Sequence, residues 1–178
     1  MTILRAQAVA HDNHPDSILT LRRHPPMEPT ITPEHSDSPD ATALIGELDA
    51  HLEPLYPRES RHGFSVQKLI ADSVAFFVVR DDGAAVGCGG IKLFGTEYGE
   101  IKRMYVRPAF RGRGLAKRLL DHLADYARIH GVETLRLETG IHQHAAINLY
   151  EQVGFRRIPP FGPYRDDPVS RCYEKQLR

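Results

Sequence analysis

The segment Arg111-Gly112-Arg113-Gly114-Leu115-Ala116 narrows the architecture most, because it joins a strand-like run to a helix-like run. Glu100 to Val106 precedes it as a strand. After it, Leu115, Leu119, Leu123 and Ala127 recur along one side of a helix from Leu115 to His130, which Gly131 is placed to end. A helix N-terminus presents unpaired backbone N–H groups and about half a positive charge, so it favours a phosphate. Glycines there let the backbone approach an anion without a side chain in the way. Residues 102–118 also hold seven bases (Lys102, Arg103, Arg107, Arg111, Arg113, Lys117, Arg118) and no acid. On its own the segment reads either as an anion cradle or as a Gly-rich turn beside a solvated basic helix face.

The flanking pattern selects a mixed α/β sheet. Thr30 to Thr32 is a short extended piece. Ser38-Pro39-Asp40 starts a helix, with Ser38 as cap, that carries Leu44, Ile45, Leu48 and Leu52 to Pro54. Ser65 to Ile70 is a shorter helix. Val74 to Arg80, Ala84 to Leu93 and Glu100 to Val106 read as an antiparallel meander, its first turn at Asp82-Gly83. Gly87, Gly89 and Gly90 inside the second strand signal a bulge or a close backbone approach. Val132 to Thr139 completes a strand–helix–strand unit long enough for a parallel crossover. A helix over Ala145 to Val153, a strand from Phe155, a loop over Pro159 to Pro168 and a strand over Ser170 to Gln176 then give a βαβ-like return.

With 178 residues and 41% hydrophobic content, one domain with a real core is expected, over residues 29–178. Residues 1–28 read as a His- and Pro-rich tail, although Ser17 to Arg23 has the makings of an edge strand. The formal net charge is zero, yet residues 1–60 carry ten acids and four bases while residues 61–178 carry thirteen and nineteen. That balance disfavours a nucleic-acid or membrane-surface partner. No apolar run is long enough to span a bilayer, and no secretory signal is visible, so a cytoplasmic protein is expected. Two cysteines, Cys88 and Cys172, make neither a disulfide framework nor a thiolate zinc site. Neither His142-Gln143-His144 nor the early histidines have metal-ligand spacing, so no metal is expected. The chain lacks the Gly-Lys-Ser/Thr of a nucleoside-triphosphate loop, the third glycine of a dinucleotide fold and the aromatic strand pattern of an RNA module.

These residues resemble the GNAT superfamily of acetyl-CoA-dependent N-acetyltransferases. The resemblance rests on Arg111, Gly114 and Ala116 in an Arg/Gln-x-x-Gly-x-Gly/Ala signature. The preceding Lys102-Arg103-Met104-Tyr105-Val106-Arg107-Pro108 and the later Asn148-Leu149-Tyr150-Glu151-Gln152-Val153-Gly154-Phe155 add to it. It implies a mixed, mostly antiparallel central sheet with a splayed pair of parallel strands and helices on both faces. It also implies acetyl-CoA as cosubstrate. Backbone amides of Arg111, Gly112, Arg113, Gly114, Leu115 and Ala116 would hold the pyrophosphate, and Met104, Tyr105 and Val106 would pair with the pantetheine arm as an extra strand does. Asn148 would steady the cofactor, and Tyr150 would protonate the departing thiolate.

The implied reaction is attack of an amine on the thioester carbonyl. Amines are mostly protonated at neutral pH, so a base helps, and the tetrahedral oxyanion needs a donor such as the Tyr105 N–H. Glu100, which starts the splayed strand eleven positions before Arg111, is the first candidate for the base, since some family members carry theirs there. Glu138, on the partner strand, is the rival and would act through water. Acceptor contacts are expected from Tyr56, Arg58, His142, Gln143 and Tyr164, in segments that combine aromatic and basic or polar residues. Tyr-Pro-x-Glu-Ser, Glu-Thr-Gly and Pro-Phe-Gly-x-Tyr are similar to a bacterial subgroup labelled indoleacetate-type or general small-molecule acetyltransferases. The expectation is a small-molecule N-acetyltransferase, monomeric or homodimeric. A protein or peptide N-acetyltransferase and a non-catalytic CoA-binding regulator stand as the alternatives.

Overall fold

The computed structural model describes residues 28–56 and 65–177. Residues 1–27 of the expected tail over 1–28, and the acceptor candidate Arg58, lie outside them.

Seven strands form one sheet in the order β1-β2-β3-β4-β5-β7-β6. They are β1 (Thr30–Pro33), β2 (Ala75–Asp81), β3 (Ala84–Phe94), β4 (Tyr98–Val106), β5 (Thr134–Gly140), β6 (Arg156–Ile158) and β7 (Ser170–Gln176). The helices are α1 (Pro39–Leu52), α2 (Val66–Ala71), α3 (Leu115–Ile129) and α4 (His144–Gln152). Every neighbouring pair is antiparallel except β4 with β5. This is the mixed, mostly antiparallel sheet with one parallel pair that the family resemblance implied.

Local chemistry sets most of the boundaries. The hydroxyls of Ser38 and Ser65 accept from the amides of Ala41 and Lys68 at 3.2 Å, satisfying donors that the first turns of α1 and α2 leave open. Asp82 and Gly83 both have positive φ, at 47° and 80°, as a two-residue hairpin turn requires. One arrangement differs from the sequence expectation. The chain after α4 returns parallel in sense to β5 but not beside it. β7 inserts between β5 and β6, so the final unit is not a simple parallel crossover. The full seven-residue pairing of β7 with β5 outweighs the three-residue β6, which is left at the edge.

The two faces of the sheet are covered by different elements. On one face, Leu115, Leu119, Leu120 and Leu123 of α3, with Tyr150 and Phe155, pack against Ile101, Leu135 and Leu137. On the other, Leu44, Ile45 and Leu48 of α1 and Leu69 of α2 pack on Phe76, Val78, Cys88 and Tyr105. Beyond β4 that second face passes from helices to the loop over residues 159–168, where Phe161 and Tyr164 pack with Tyr98 and Cys172. Both cysteines are free and buried, and burial pushes the Cys88 thiol up to about 12, far from reactivity.

Candidate active site

β4 and β5 pair only at Gly99–Leu135, Glu100–Arg136 and Ile101–Leu137, and beyond those residues the two strands diverge. From Lys102 onward the β5-facing edge of β4 therefore lacks a strand partner, which leaves backbone groups open to an extended ligand. On its other edge β4 carries a bulge. Cys88 pairs with Tyr105 and Gly90 with Lys102, so Arg103 and Met104 together oppose Gly89. Arg103 takes up the distortion at φ 57°, in the left-handed region that a non-glycine residue occupies at a cost. Gly89 makes the bulge possible, since a Cβ there would stand 2.7 Å from Met104 Sδ and 3.0 Å from Leu119 Cδ2.

The divergence opens into a cleft of about 720 Å³. Its floor includes Ile101, Leu137, Thr139 and Tyr150; one wall is α1, with Leu48, Asp49 and Leu52; Lys102, Glu138, Tyr56 and Tyr164 surround the rest. Glu138 lines this cleft, and the Ser170 hydroxyl donates to its carboxylate at 2.6 Å. Tyr150 is buried at its edge, stacked edge-on against Phe155. Desolvation, with the charge of Glu138 adding to it, raises its phenol well above the usual tyrosine range, so it stays protonated at neutral pH.

Glu100 is placed differently from Glu138. It is 1% exposed and does not line the cleft. Its Oε1 accepts from Lys102 Nζ at 2.5 Å and from Tyr164 Oη at 2.5 Å, while Lys102 Nζ also reaches Tyr164 Oη at 2.7 Å. Burial pulls the Lys102 ammonium below its ordinary value, and Glu100 acts against that shift. Burial and Glu100 together drive the Tyr164 phenol far above the usual range. This cluster joins the loop over 159–168 to β4.

Of the acceptor candidates within the described residues, Tyr56, Gln143 and Tyr164 line the cleft. Tyr56 packs directly on Gly140, where a Cβ would collide with its ring, and its hydroxyl accepts from the His142 N–H at 2.8 Å. The His142 side chain is exposed and borders Tyr56 without lining the cleft. Gln143 Nε2 donates to Thr139 Oγ1 at 3.1 Å.

On the far side of the sheet, the loop after β4 turns through Gly112 and Gly114 at φ 76° and 75°, and Gly114 caps α3 without a side-chain bond. The first helical bond of α3 runs from Arg118 N–H to Gly114 O, so the amides of Leu115, Ala116 and Lys117 precede the hydrogen-bonded ladder. A Cβ at Gly112 or Gly114 would meet only open space. These groups fit an anionic pyrophosphate. Asn148 is exposed on α4, two residues before Tyr150. Tyr105 and Val106 are buried, whereas Met104 lines the cleft.

The seven bases do not form one phosphate-facing patch. Arg107 grips Glu47, its Nη2 at 2.7 Å from Oε1, and Arg103 holds Asp49 through both terminal nitrogens at 2.7 and 3.1 Å. Lys102 turns to Glu100 and Arg113 to Asp81. Alternation along β4 and the bulge send three of these side chains toward α1 or the cleft, which a linear count of charge does not reveal. What sequence reasoning missed is the α1 wall: Asp49, and Arg103 opposite it. Arg103 Nε is buried with no hydrogen-bond partner among the described residues. The signal was present in the acidic excess of the N-terminal part, whose Asp49 pairs with Arg103 of β4 and whose Glu47 pairs with Arg107 just after it.

Comparison with known proteins agrees with this geometry. The model described as the acetyltransferase (GNAT) family matches residues 42–155. The IAA acetyltransferase of Azospirillum brasilense is 42% identical over 161 residues, covering 89% of this chain and 98% of that protein. Among solved structures, a protein from Klebsiella pneumoniae described as an acyl-CoA N-acyltransferase is 41% identical, with a TM-score of 0.73 over 85% of this chain and 99% of its own. A GNAT acetyltransferase from Elizabethkingia anophelis with acetyl-CoA bound shares the fold, at 18% identity and a TM-score of 0.63 over 84% of this chain and 98% of its own. A sheet whose parallel pair splays beside a glycine-capped helix, together with these matches, makes the chain a member of the GNAT acetyltransferase family.

Proposed function

We propose that this GNAT acetyltransferase moves the acetyl group of acetyl-CoA to the amine of a small acceptor by direct attack in a ternary complex. The observation that carries the reading is that Glu138 and Tyr150 both line the cleft that opens where β4 and β5 part. Acetyl-CoA supplies the thioester carbonyl. The amides of Gly112 to Ala116 bind its pyrophosphate, and the open edge of β4 over Met104 to Val106 receives its pantetheine arm. Glu138 takes the proton of the attacking amine, and the Tyr105 N–H is the candidate donor to the oxyanion. Tyr150, held protonated by burial, returns a proton to the thiolate. Holding amine and thioester together supplies much of the acceleration.

Glu138 is preferred to Glu100 because Glu100 already accepts from both Lys102 and Tyr164 behind the cleft wall. A small acceptor is supported by the cleft volume and by α1 and the loop over 159–168 bounding it from both sides. The test is acetyl-CoA binding followed by thiol release across a panel of amines. Binding plus release with at least one small amine is expected. Binding with no release from any amine would instead favour a CoA-binding regulator, and release with peptides alone would favour a peptide acetyltransferase.

A further inference from the structure

We propose that Tyr56 is a second donor to the oxyanion of the transfer reaction, its hydroxyl binding the acetyl oxygen as the thioester carbonyl becomes tetrahedral. This rests on the reading that acetyl transfer takes place in the cleft, with the Tyr105 N–H as the first donor. Tyr56 is 7% exposed and lines the cleft. The absence of a side chain at Gly140 makes room for its ring, and the His142 N–H donates to its hydroxyl oxygen at 2.8 Å. That bond uses a lone pair of the oxygen and leaves the hydroxyl proton, which no group among the described residues accepts. The proton is therefore available to whatever occupies the cleft.

Position selects the oxygen. Met104 and Gly140 each lie three residues beyond Ile101 and Leu137, the last pair of the splayed strands. Tyr56, packed on Gly140, thus stands across the opening from the part of β4 that runs into Tyr105. Two other tyrosines are on the lining. Tyr164 already gives its proton to Glu100, and Tyr150 packs with the α3 side, where it is assigned the thiolate. Burial raises the Tyr56 phenol above the ordinary tyrosine range, against the pull of the His142 N–H, so its proton stays in place at neutral pH. Acceptor amines differ in the oxygens they carry, and some carry none, whereas every turnover brings the acetyl oxygen. A donor built into the wall matches the oxygen that is always there. As the amine nitrogen bonds to the carbonyl carbon, the π pair of the C=O bond moves onto that oxygen. The Tyr56 O–H and the Tyr105 N–H bind the charge without giving up a proton, and the pair returns when the C–S bond breaks and the thiolate leaves.

The experiment compares wild type with Tyr56→Phe, which keeps the ring on Gly140 and removes the hydroxyl. Acetyl-CoA is supplied with a panel of small amines that includes alkylamines without oxygen. The variant is expected to lose kcat on the order of a hundredfold, by the same factor for every amine accepted, with acceptor KM and acetyl-CoA Kd within about threefold of wild type. Tyr56→4-aminophenylalanine restores a donor at the same place and is expected to recover part of that kcat. A loss that appears as a raised acceptor KM, or only with amines that carry an oxygen, would make Tyr56 an acceptor contact and overturn the inference. A loss that 4-aminophenylalanine leaves unrelieved would also overturn it, by assigning the effect to the tie with the His142 N–H. An unchanged kcat in Tyr56→Phe would overturn the inference and leave the acetyl transfer standing. No thiol release by wild type with any amine would overturn the transfer reaction, and the inference with it.

Discussion

On the α3 side of the splayed strands, the proposed cradle from Gly112 to Ala116 consists of consecutive residues that present their backbone. On the α1 side, the cleft lining draws Asp49, Tyr56, Lys102, Glu138 and Tyr164 from five separate segments. The first arrangement tolerates changes in side-chain identity but not in φ; the second is sensitive to each side chain and to the ion pairs that aim it. A shared cosubstrate is suited to the first, and an acceptor that differs between relatives is suited to the second.

Four substitutions probe this division, from the largest expected effect to the smallest. Tyr150→Phe, at the junction of the two sides, should lower kcat on the order of a hundredfold with little change in acetyl-CoA affinity, read by steady-state kinetics and calorimetry. Equal rates would remove Tyr150 as the acid. Gly140→Ala forces the Tyr56 ring away from β5 and should cost about 1–3 kcal/mol of stability by thermal unfolding, with acceptor KM rising more than the cosubstrate Kd. Gly114→Val places a β-branched residue at φ 75° and fills the open space of the cradle. It should weaken CoA binding by about tenfold or more, given a strain of order 1–3 kcal/mol, with acceptor preference unchanged. A changed acceptor preference there would blur the two sides.

The smallest effect concerns the tie between α1 and Arg107, the residue that follows β4. The Arg107 guanidinium bonded to Glu47 holds that carboxyl below its ordinary value of 4.5. Its stabilisation is therefore present at neutral pH and is lost as pH falls through the folded-state value. Glu47→Gln should lower stability by at most about 1 kcal/mol at neutral pH, since the pair is partly exposed. The gap from wild type should close as pH falls below the ordinary carboxylate range. A gap that stays constant with pH would assign the effect to packing.

The same division explains what could be read from the sequence. Caps at Ser38 and Ser65, the turn at Asp82-Gly83 and the stop at Gly131 are local devices and stand where the residues put them. The glycine-rich start of α3 is local too. The bulge was half legible: glycines in β3 announced it, but its consequence for Arg103 depends on register with β4. Insertion of β7 beside β5 depends on long-range pairing that no local pattern encodes. Glu100 illustrates the limit most clearly. It starts the strand that splays, as a base might, but Lys102 two positions on shares its face, and Tyr164 arrives from a distant loop to close the cluster.

The assignment of the base is the center of this account, and a pH–rate comparison of Glu138→Gln with Glu100→Gln tests it most directly. Glu138→Gln should lower kcat/KM at neutral pH by about 10²–10⁴-fold, and the loss should shrink as pH rises and the acceptor amine deprotonates without help. Glu100→Gln should keep the wild-type pH profile and change mainly acceptor KM. A pH-independent loss in Glu138→Gln, or a larger loss with an altered profile in Glu100→Gln, would contradict the account.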